Sequence, residues 1–252
     1  MKKNILLVIE YLGTNYFGWQ IQSKKNKKEI TIQGVLENAL LKLFKQPVRV
    51  NASGRTDRGV HAKAQYLNFK IDTEIPLPNI KKALNASLPE DIKIKEIKIA
   101  PLDFHSRFSA KAKTYLYIIY NRKDFSVFWS NFSWQITEKI NLALTRRVAK
   151  KIVGKRDFYI FAKGAKNYKS CIRDLKKISI KKKEDIIYLE IKANGFLHQM
   201  ARNIVNFLIQ AGTGKIDINE AEAVLAGKKD FIKKPAPPQG LYLKKVDYKI
   251  GI

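Results

Sequence analysis

The sequence predicts an α+β protein made of two related halves. Two observations carry this. The first hundred residues read strand, helix, strand, strand, helix, strand, and the later residues follow a similar but looser order. In addition, the 252 residues are long enough for two compact domains or one large one, and 45% of them are hydrophobic, which suffices for a real core.

Asn4 to Tyr11 (NILLVIEY) is a short continuous apolar run, the pattern of a buried strand. Gln33 to Lys45 places Val35, Leu36, Ala39, Leu40, Leu43 and Phe44 on one helical face, and Pro47 marks its end. Strands are expected at Val48 to Ser53 and Gln65 to Ile71, and a helix at Pro78 to Leu88 with proline in its first turn. Asp91 to Ala100 alternates Ile with Lys or Glu, the period of a half-buried strand. This β-α-β-β-α-β order is the split βαβ arrangement of ferredoxin-like units. In the second half, strands are expected at Thr114 to Tyr120, Ile172 to Ile180, Ile186 to Ala193 and Leu241 to Tyr248. Helices are expected at Thr137 to Val153, Phe196 to Ala211 and Ile218 to Ala226. The halves are drawn as 1–104 and 105–252, with the boundary between Pro101 and Lys113. No short-period repeat or low-complexity tract is evident.

Lys and Arg number 49 against 22 Asp and Glu, a formal charge of +27. Such an excess implies a polyanionic partner, nucleic acid or an anionic membrane, unless it reflects only a genome rich in Lys, Ile and Asn codons. No apolar run approaches the roughly 20 residues of a membrane span. The N-terminal MKKNILLVIEY lacks the length and cleavage site of a signal peptide. The single cysteine, Cys171, fits a reducing compartment, and a cytoplasmic protein is expected.

Common cofactor signals are missing. GTGK (Gly212 to Lys215) lacks the first glycine of a phosphate loop and follows a helix, so it reads as a C-terminal turn. His61, His105 and His198 are too scattered for a zinc signature, and no acidic cluster suggests a two-metal nuclease.

One segment stands apart. GRTDRGVHA (Gly54 to Ala62) sets Asp57 between Arg55 and Arg58. Two neighbouring guanidinium groups favour a charged carboxylate, which suits a nucleophile, a base or an electrostatic stabiliser better than a general acid. Gly54 and Gly59 permit a sharp turn and close approach of a ligand. The plain alternative is a surface Arg–Asp pair. In the helix expected at Phe196 to Ala211, His198, Arg202, Asn206 and Gln210 share one face that carries no Lys or Glu. A face so poor in charge is half-buried, and Arg202 there needs an anionic partner. The alternative is an ordinary amphipathic helix. Phe104 to Tyr120 (FHSRFSAKAKTYLYIIY) interleaves aromatic and basic residues, which suits stacking on unpaired bases beside phosphate contacts. Alternation of Tyr115, Tyr117 and Ile119 on a core face explains part of the same pattern.

Together these pieces resemble the TruA-type tRNA pseudouridine synthases. ASGRTDRGVHAKAQ is similar to that family's signature, and EYLGTNYFGWQIQ, FHSRFSAKAKTYLY, RDFYIF, ANGFLHQMARNIV and PAPPQGLYLKKVDY follow in the family's order. The resemblance implies isomerisation of uridine to pseudouridine at positions 38 to 40 of the tRNA anticodon stem-loop, without metal or other cofactor. It also implies a homodimer, and two halves forming one extended, mainly antiparallel sheet with helices on one side and a central catalytic cleft. By position it makes Asp57 the catalytic aspartate and Tyr115 the tyrosine that stacks on the target base and helps remove the C5 proton. Arg202 becomes the partner of the catalytic carboxylate, Arg55 a residue holding the flipped nucleotide, and Leu241 part of the pocket wall. Arg58 is left with two readings, a substrate-phosphate contact or a solvated neighbour. Lys24, Lys25, Lys27 and Lys28 are expected to hold tRNA backbone. Leu12, Arg156 and Asn206 depart from the common family residues, which bears on loop contacts and helix packing. Two alternatives stand beside this reading: a non-catalytic basic tRNA- or rRNA-binding protein, and a chelator-sensitive nuclease.

Overall fold

A computed structural model of the protein describes residues 1–22, 29–229, 231 and 234–249. The elements in chain order are β1 (Lys2–Tyr11), α1 (Ile32–Phe44), β2 (Asn51–Ala52), β3 (His61–Asp72), α2 (Leu77–Ser87) and β4 (Ile92–Ala100). There follow β5 (Ala112–Tyr120), α3 (Val127–Ser130), β6 (Trp134–Gln135), α4 (Leu142–Ile152), β7 (Gly154–Asp157) and β8 (Ile172–Lys183). The last are β9 (Ile186–Ala193), α5 (Met200–Gly212), α6 (Ile218–Leu225) and β10 (Leu241–Asp247). The protein is α+β. It divides into two compact units, Met1–Lys111 with Tyr242–Ile252, and Ala112–Leu241.

In the first unit the strand order is β4-β1-β3, and β2 and β10 both pair with β3. Pairing is antiparallel except for β10, which runs parallel to β3 through Tyr242 opposite His61 and Leu243 opposite Ala62. That pairing sets β10 beside β3 in the first unit, whereas the sequence placed it in the second half. β1 buries six successive residues, Asn4 to Ile9, as a strand covered on both faces must. Its one polar member is satisfied: Asn4 Nδ2 donates to the carbonyls of Pro101 and Phe104 at 2.7 and 3.0 Å, and Oδ1 accepts from Asn68 Nδ2 at 2.8 Å. β4 holds Ile92 and Ile94 on its buried side. The register to β1 then slips at Lys95, so the later isoleucines, Ile97 and Ile99, change phase. α1 begins at Thr31, whose side chain accepts from Gly34 N at 3.2 Å, and stops at Lys45 in the left-handed region (φ 56°). The strand expected at Val48 to Ser53 shrinks to Asn51–Ala52, whereas β3 starts four residues earlier than expected, within GVHA.

In the second unit β5, β9, β8 and β7 lie in that order, all antiparallel, with β6 parallel to the end of β5. α4 packs against α5 and α6. It begins later than the expected Thr137, because Asn141 caps it by accepting from Leu144 N at 3.0 Å. α5 is buried almost all round. It begins at Met200 and not at Phe196, since Gln199 adopts φ 57° and breaks the helical run. His198 therefore lies outside the helix and is exposed, so the four-residue polar face expected there reduces to Arg202, Asn206 and Gln210. Arg202 and Asn206 are each only 8% exposed. GTGK forms the turn after α5, with Gly214 at φ 75°. β7 was not expected, because GKRD has no apolar period.

Candidate active site

The GRTD segment joins β2 to β3, and its backbone is held from several sides. Ser53 N donates to Tyr66 O at 2.7 Å, Ser53 Oγ to Gln65 Oε1 at 2.5 Å, and Gln65 Nε2 to Gly54 O at 2.5 Å. Ser53 and Gln65 are completely buried. Thr56 follows, also buried. Its hydroxyl shares a 2.8 Å hydrogen bond with Tyr11 Oη, and its carbonyl accepts from Trp19 N at 3.0 Å. Asp57 is half-buried and opens a turn that Val60 N closes onto Asp57 O at 3.1 Å. Gly59 occupies the third position of that turn at φ 77°, a conformation only glycine adopts cheaply. Arg55 and Arg58 are exposed, and the Arg58 guanidinium lies 4.2 Å from the centre of the Phe17 ring.

The segment Leu12 to Trp19 lies directly against this turn. Gly13 N donates to His61 Nδ1 at 3.0 Å, and a Cβ on Gly13 would meet Val60 O at 2.1 Å. Gly18, at φ 82°, would place a Cβ 2.6 Å from Thr56 O. Both glycines are therefore required by backbone-to-backbone approach. Tyr16 fastens the same segment by donating to Asp91 Oδ1 at 2.5 Å. Burial, and then that bond, push the Tyr16 phenol well above its ordinary pKa. His61 is fully buried and stacks on Tyr242 of β10 at 4.7 Å; burial likewise raises the Tyr242 pKa. A cavity of about 300 Å³ in this unit is lined by Tyr11, His61, Asp91 and Tyr242 among others, and Asp57 is not part of its wall.

The second unit holds Tyr115, Arg202 and Leu241. Tyr115 sits on β5 opposite Ile191 of β9, and its ring and that of Phe196 are nearly perpendicular with centres 4.8 Å apart. Arg202 Nε donates to Ala236 O at 2.6 Å, and Ala236 N donates back to Arg202 O at 3.2 Å. The next residue, Pro237, accepts from Tyr117 Oη at 2.8 Å, and Gly240 approaches Tyr117 so closely that a Cβ would lie 2.6 Å from its ring. The short segment before β10 thus ties α5 to β5 and leads directly into Leu241, which is buried.

Sequence reasoning had given no role to Tyr11, Thr56, Gly18 or Ala236. The paired glycines among the aromatics of LGTNYFGW were the available signal for Gly18. Nothing local marks Ala236. The lysines at 24, 25, 27 and 28 lie outside the described residues. Among the described residues, no group of three or more His, Cys, Asp or Glu is placed to hold a metal ion, and no helix is long and apolar enough to cross a membrane.

A family model described as tRNA pseudouridine synthase matches residues 7–109 and 148–249. Curated relatives match along 98% of this chain and the whole of their own length. The tRNA pseudouridine synthase A proteins of Thermoanaerobacter sp. and Caldicellulosiruptor bescii are each 42% identical, and that of Clostridium botulinum is 38% identical. Among solved structures, an H/ACA ribonucleoprotein bound to a substrate RNA overlaps 69% of this chain and 37% of that one, at TM-score 0.33 and 10% identity. That likeness is too slight to bear on fold or function. On the family model and the full-length relatives together, the chain belongs to the tRNA pseudouridine synthases, isomerases that act on tRNA.

Proposed function

We propose that the protein converts uridine to pseudouridine at positions 38 to 40 of the tRNA anticodon stem-loop, with Asp57 as the catalytic carboxylate. The observation that carries this is the construction of the GRTD turn. The residue before Asp57 is buried and bonded on both its side chain and its carbonyl, and the turn after Asp57 is closed by a hydrogen bond. The carboxylate stands on a fixed backbone at a half-buried position. Such pre-organisation lowers the cost of bringing a reacting group to its target.

The reaction breaks the N1–C1′ bond, turns the uracil, forms the C5–C1′ bond, and moves the C5 proton away while N1 gains one. No atom is lost, so the chemistry requires no co-substrate. Asp57 would act as attacking group at C1′, as a nucleophile at C6, or as the base that takes the 2′ proton. Arg202 is proposed to pair with that carboxylate. A guanidinium carries five N–H donors, and the Nε donor is directed to Ala236 O, so the pairing falls to the terminal nitrogens. Tyr115 is proposed to stack on the target base and assist C5 deprotonation. Leu241 would line the pocket, Arg55 would hold the extruded nucleotide, and Arg58 would contact phosphate. Extruding a base costs a few kcal/mol, and aromatic stacking, about 1–3 kcal/mol per base, offsets much of it. A cytoplasmic homodimer is part of the same reading.

Mapping pseudouridine in tRNA from cells lacking the protein tests the target. Uridine should persist at positions 38 to 40 and revert to pseudouridine when the protein is restored. Normal modification there in the deleted strain would refute the assignment.

A further inference from the structure

The loop between β4 and β5 presents an arrangement that the proposed chemistry does not use. Its inner residues are anchored. Phe104 is buried against Leu6, Ala100, Tyr66 and Tyr248. Ser106 is fully buried, with its N–H donating to Asn68 Oδ1 at 2.9 Å and its carbonyl accepting from Tyr248 Oη at 2.8 Å. The loop is also closed on itself: Ser109 N donates to His105 O at 2.9 Å, and His105 N to Ser109 Oγ at 3.2 Å. On this fixed base the next two side chains face outward. Phe108 is 74% exposed, among the most exposed large apolar residues described. The His105 ring lies 4.4 Å from it and the Arg107 guanidinium 5.5 Å from its centre.

Single exposed apolar residues are common, but Phe108 stands on a loop anchored through Phe104 and Ser106 and lies beside an imidazole and a guanidinium. Its neighbours give it the character of a nucleobase platform. It offers an exposed aromatic ring, an imidazole tilted at 40° against it, and a cation poised for a phosphate or for a second stacking contact. The overall charge of +27 supplies the long-range attraction. The same +27 charge favours a polyanionic occupant of this face over a neutral or basic protein surface.

We propose that His105, Arg107 and Phe108 form a stacking platform for an unpaired base of the tRNA substrate, separate from the base that undergoes isomerisation. The inference rests on tRNA being the substrate. Because the anchoring residues are already ordered, the platform loses little conformational entropy on binding.

Affinity for an unmodified tRNA transcript, measured in the full-length Asp57→Asn background so that no product forms, tests the platform. Phe108→Ala should weaken binding about 5- to 100-fold, the range that base–aromatic stacking supplies. Its thermal midpoint should be unchanged and its salt slope unaltered. Phe108→Trp should restore affinity, and Phe108→Leu should not. Arg107→Gln should reduce the salt slope by about one. Unchanged affinity in Phe108→Ala, or full affinity in Phe108→Leu, overturns the platform and leaves the tRNA reading intact. Failure of the parent protein to bind tRNA overturns both.

Discussion

Tyr11 and Thr56 share a buried 2.8 Å hydrogen bond that ties the end of β1 to the residue immediately before Asp57. The bond couples the first strand of the fold to the proposed catalytic carboxylate. Tyr11→Phe leaves the buried Thr56 hydroxyl without that partner, at a cost of about 1–3 kcal/mol. Stability should fall by that amount, and kcat should fall more than KM rises, because the carboxylate loses its aim before the substrate loses its contacts. Denaturant unfolding and steady-state kinetics measure the two effects. Equal stability and kcat in Tyr11→Phe would separate the strand from the chemistry.

Gly18 and Gly214 make a matched pair. Both have positive φ, 82° and 75°, but a Cβ on Gly18 would meet Thr56 O at 2.6 Å, whereas one on Gly214 meets nothing within 4 Å. Gly214→Ala should cost about 1 kcal/mol, the penalty for the left-handed backbone alone. Gly18→Ala should cost clearly more, about 2–4 kcal/mol, and should reduce turnover through the displaced Thr56. Chemical denaturation of both variants gives the difference directly.

Arg202 is buried and already donates to Ala236 O. Replacing it with methionine keeps much of the volume but removes the charge. If Arg202 is the carboxylate's partner, turnover falls about 100-fold or more, equivalent to about 3 kcal/mol. Arg202→Lys should recover only part of that, since an ammonium lacks the planar fork. Normal turnover in Arg202→Met would show that the pairing is wrong.

Burial raises the phenol pKa of Tyr16, Tyr66, Tyr242 and Tyr248; at Tyr16 the bond to Asp91 adds to it, and at Tyr66 the charge of Glu96. An unfolded phenol ionises near pH 10, while these keep their protons in the folded chain. Their contribution to stability is therefore complete below about pH 10 and is lost as pH rises through the raised folded values. In an absorbance titration, at least these four of the 11 tyrosines should ionise only together with unfolding. Independent, early ionisation of all of them would contradict the buried placement.

Much of the first unit was legible because its signals are local. The apolar run of β1, the alternation in β4 and the turn glycines of GRTDRGVHA each follow from chemistry within a few residues. The phase change at Lys95 is visible even in the sequence, where Lys and Glu stand together between isoleucines. What sequence reasoning misplaced depends on distant partners or on backbone states with no compositional mark. β10 joins the first unit because it pairs with β3, Tyr242 opposite His61, residues 181 positions apart in the chain. The start of α5 is set by the φ of Gln199, an ordinary residue in a conformation that its side chain does not advertise. In the candidate site, Asp57 was singled out by its charged neighbours. The contacts that fix its loop, from Tyr11, Trp19 and Gly18, come from a segment some 40 residues earlier and emerge only on folding.

A single-turnover assay of Asp57→Asn with a tRNA transcript tests the central claim most directly. The substitution is close to isosteric at a half-buried position, so the variant should fold and bind tRNA as the parent does, yet form no pseudouridine. Pseudouridine appearing at the parent's rate would contradict the assignment of Asp57.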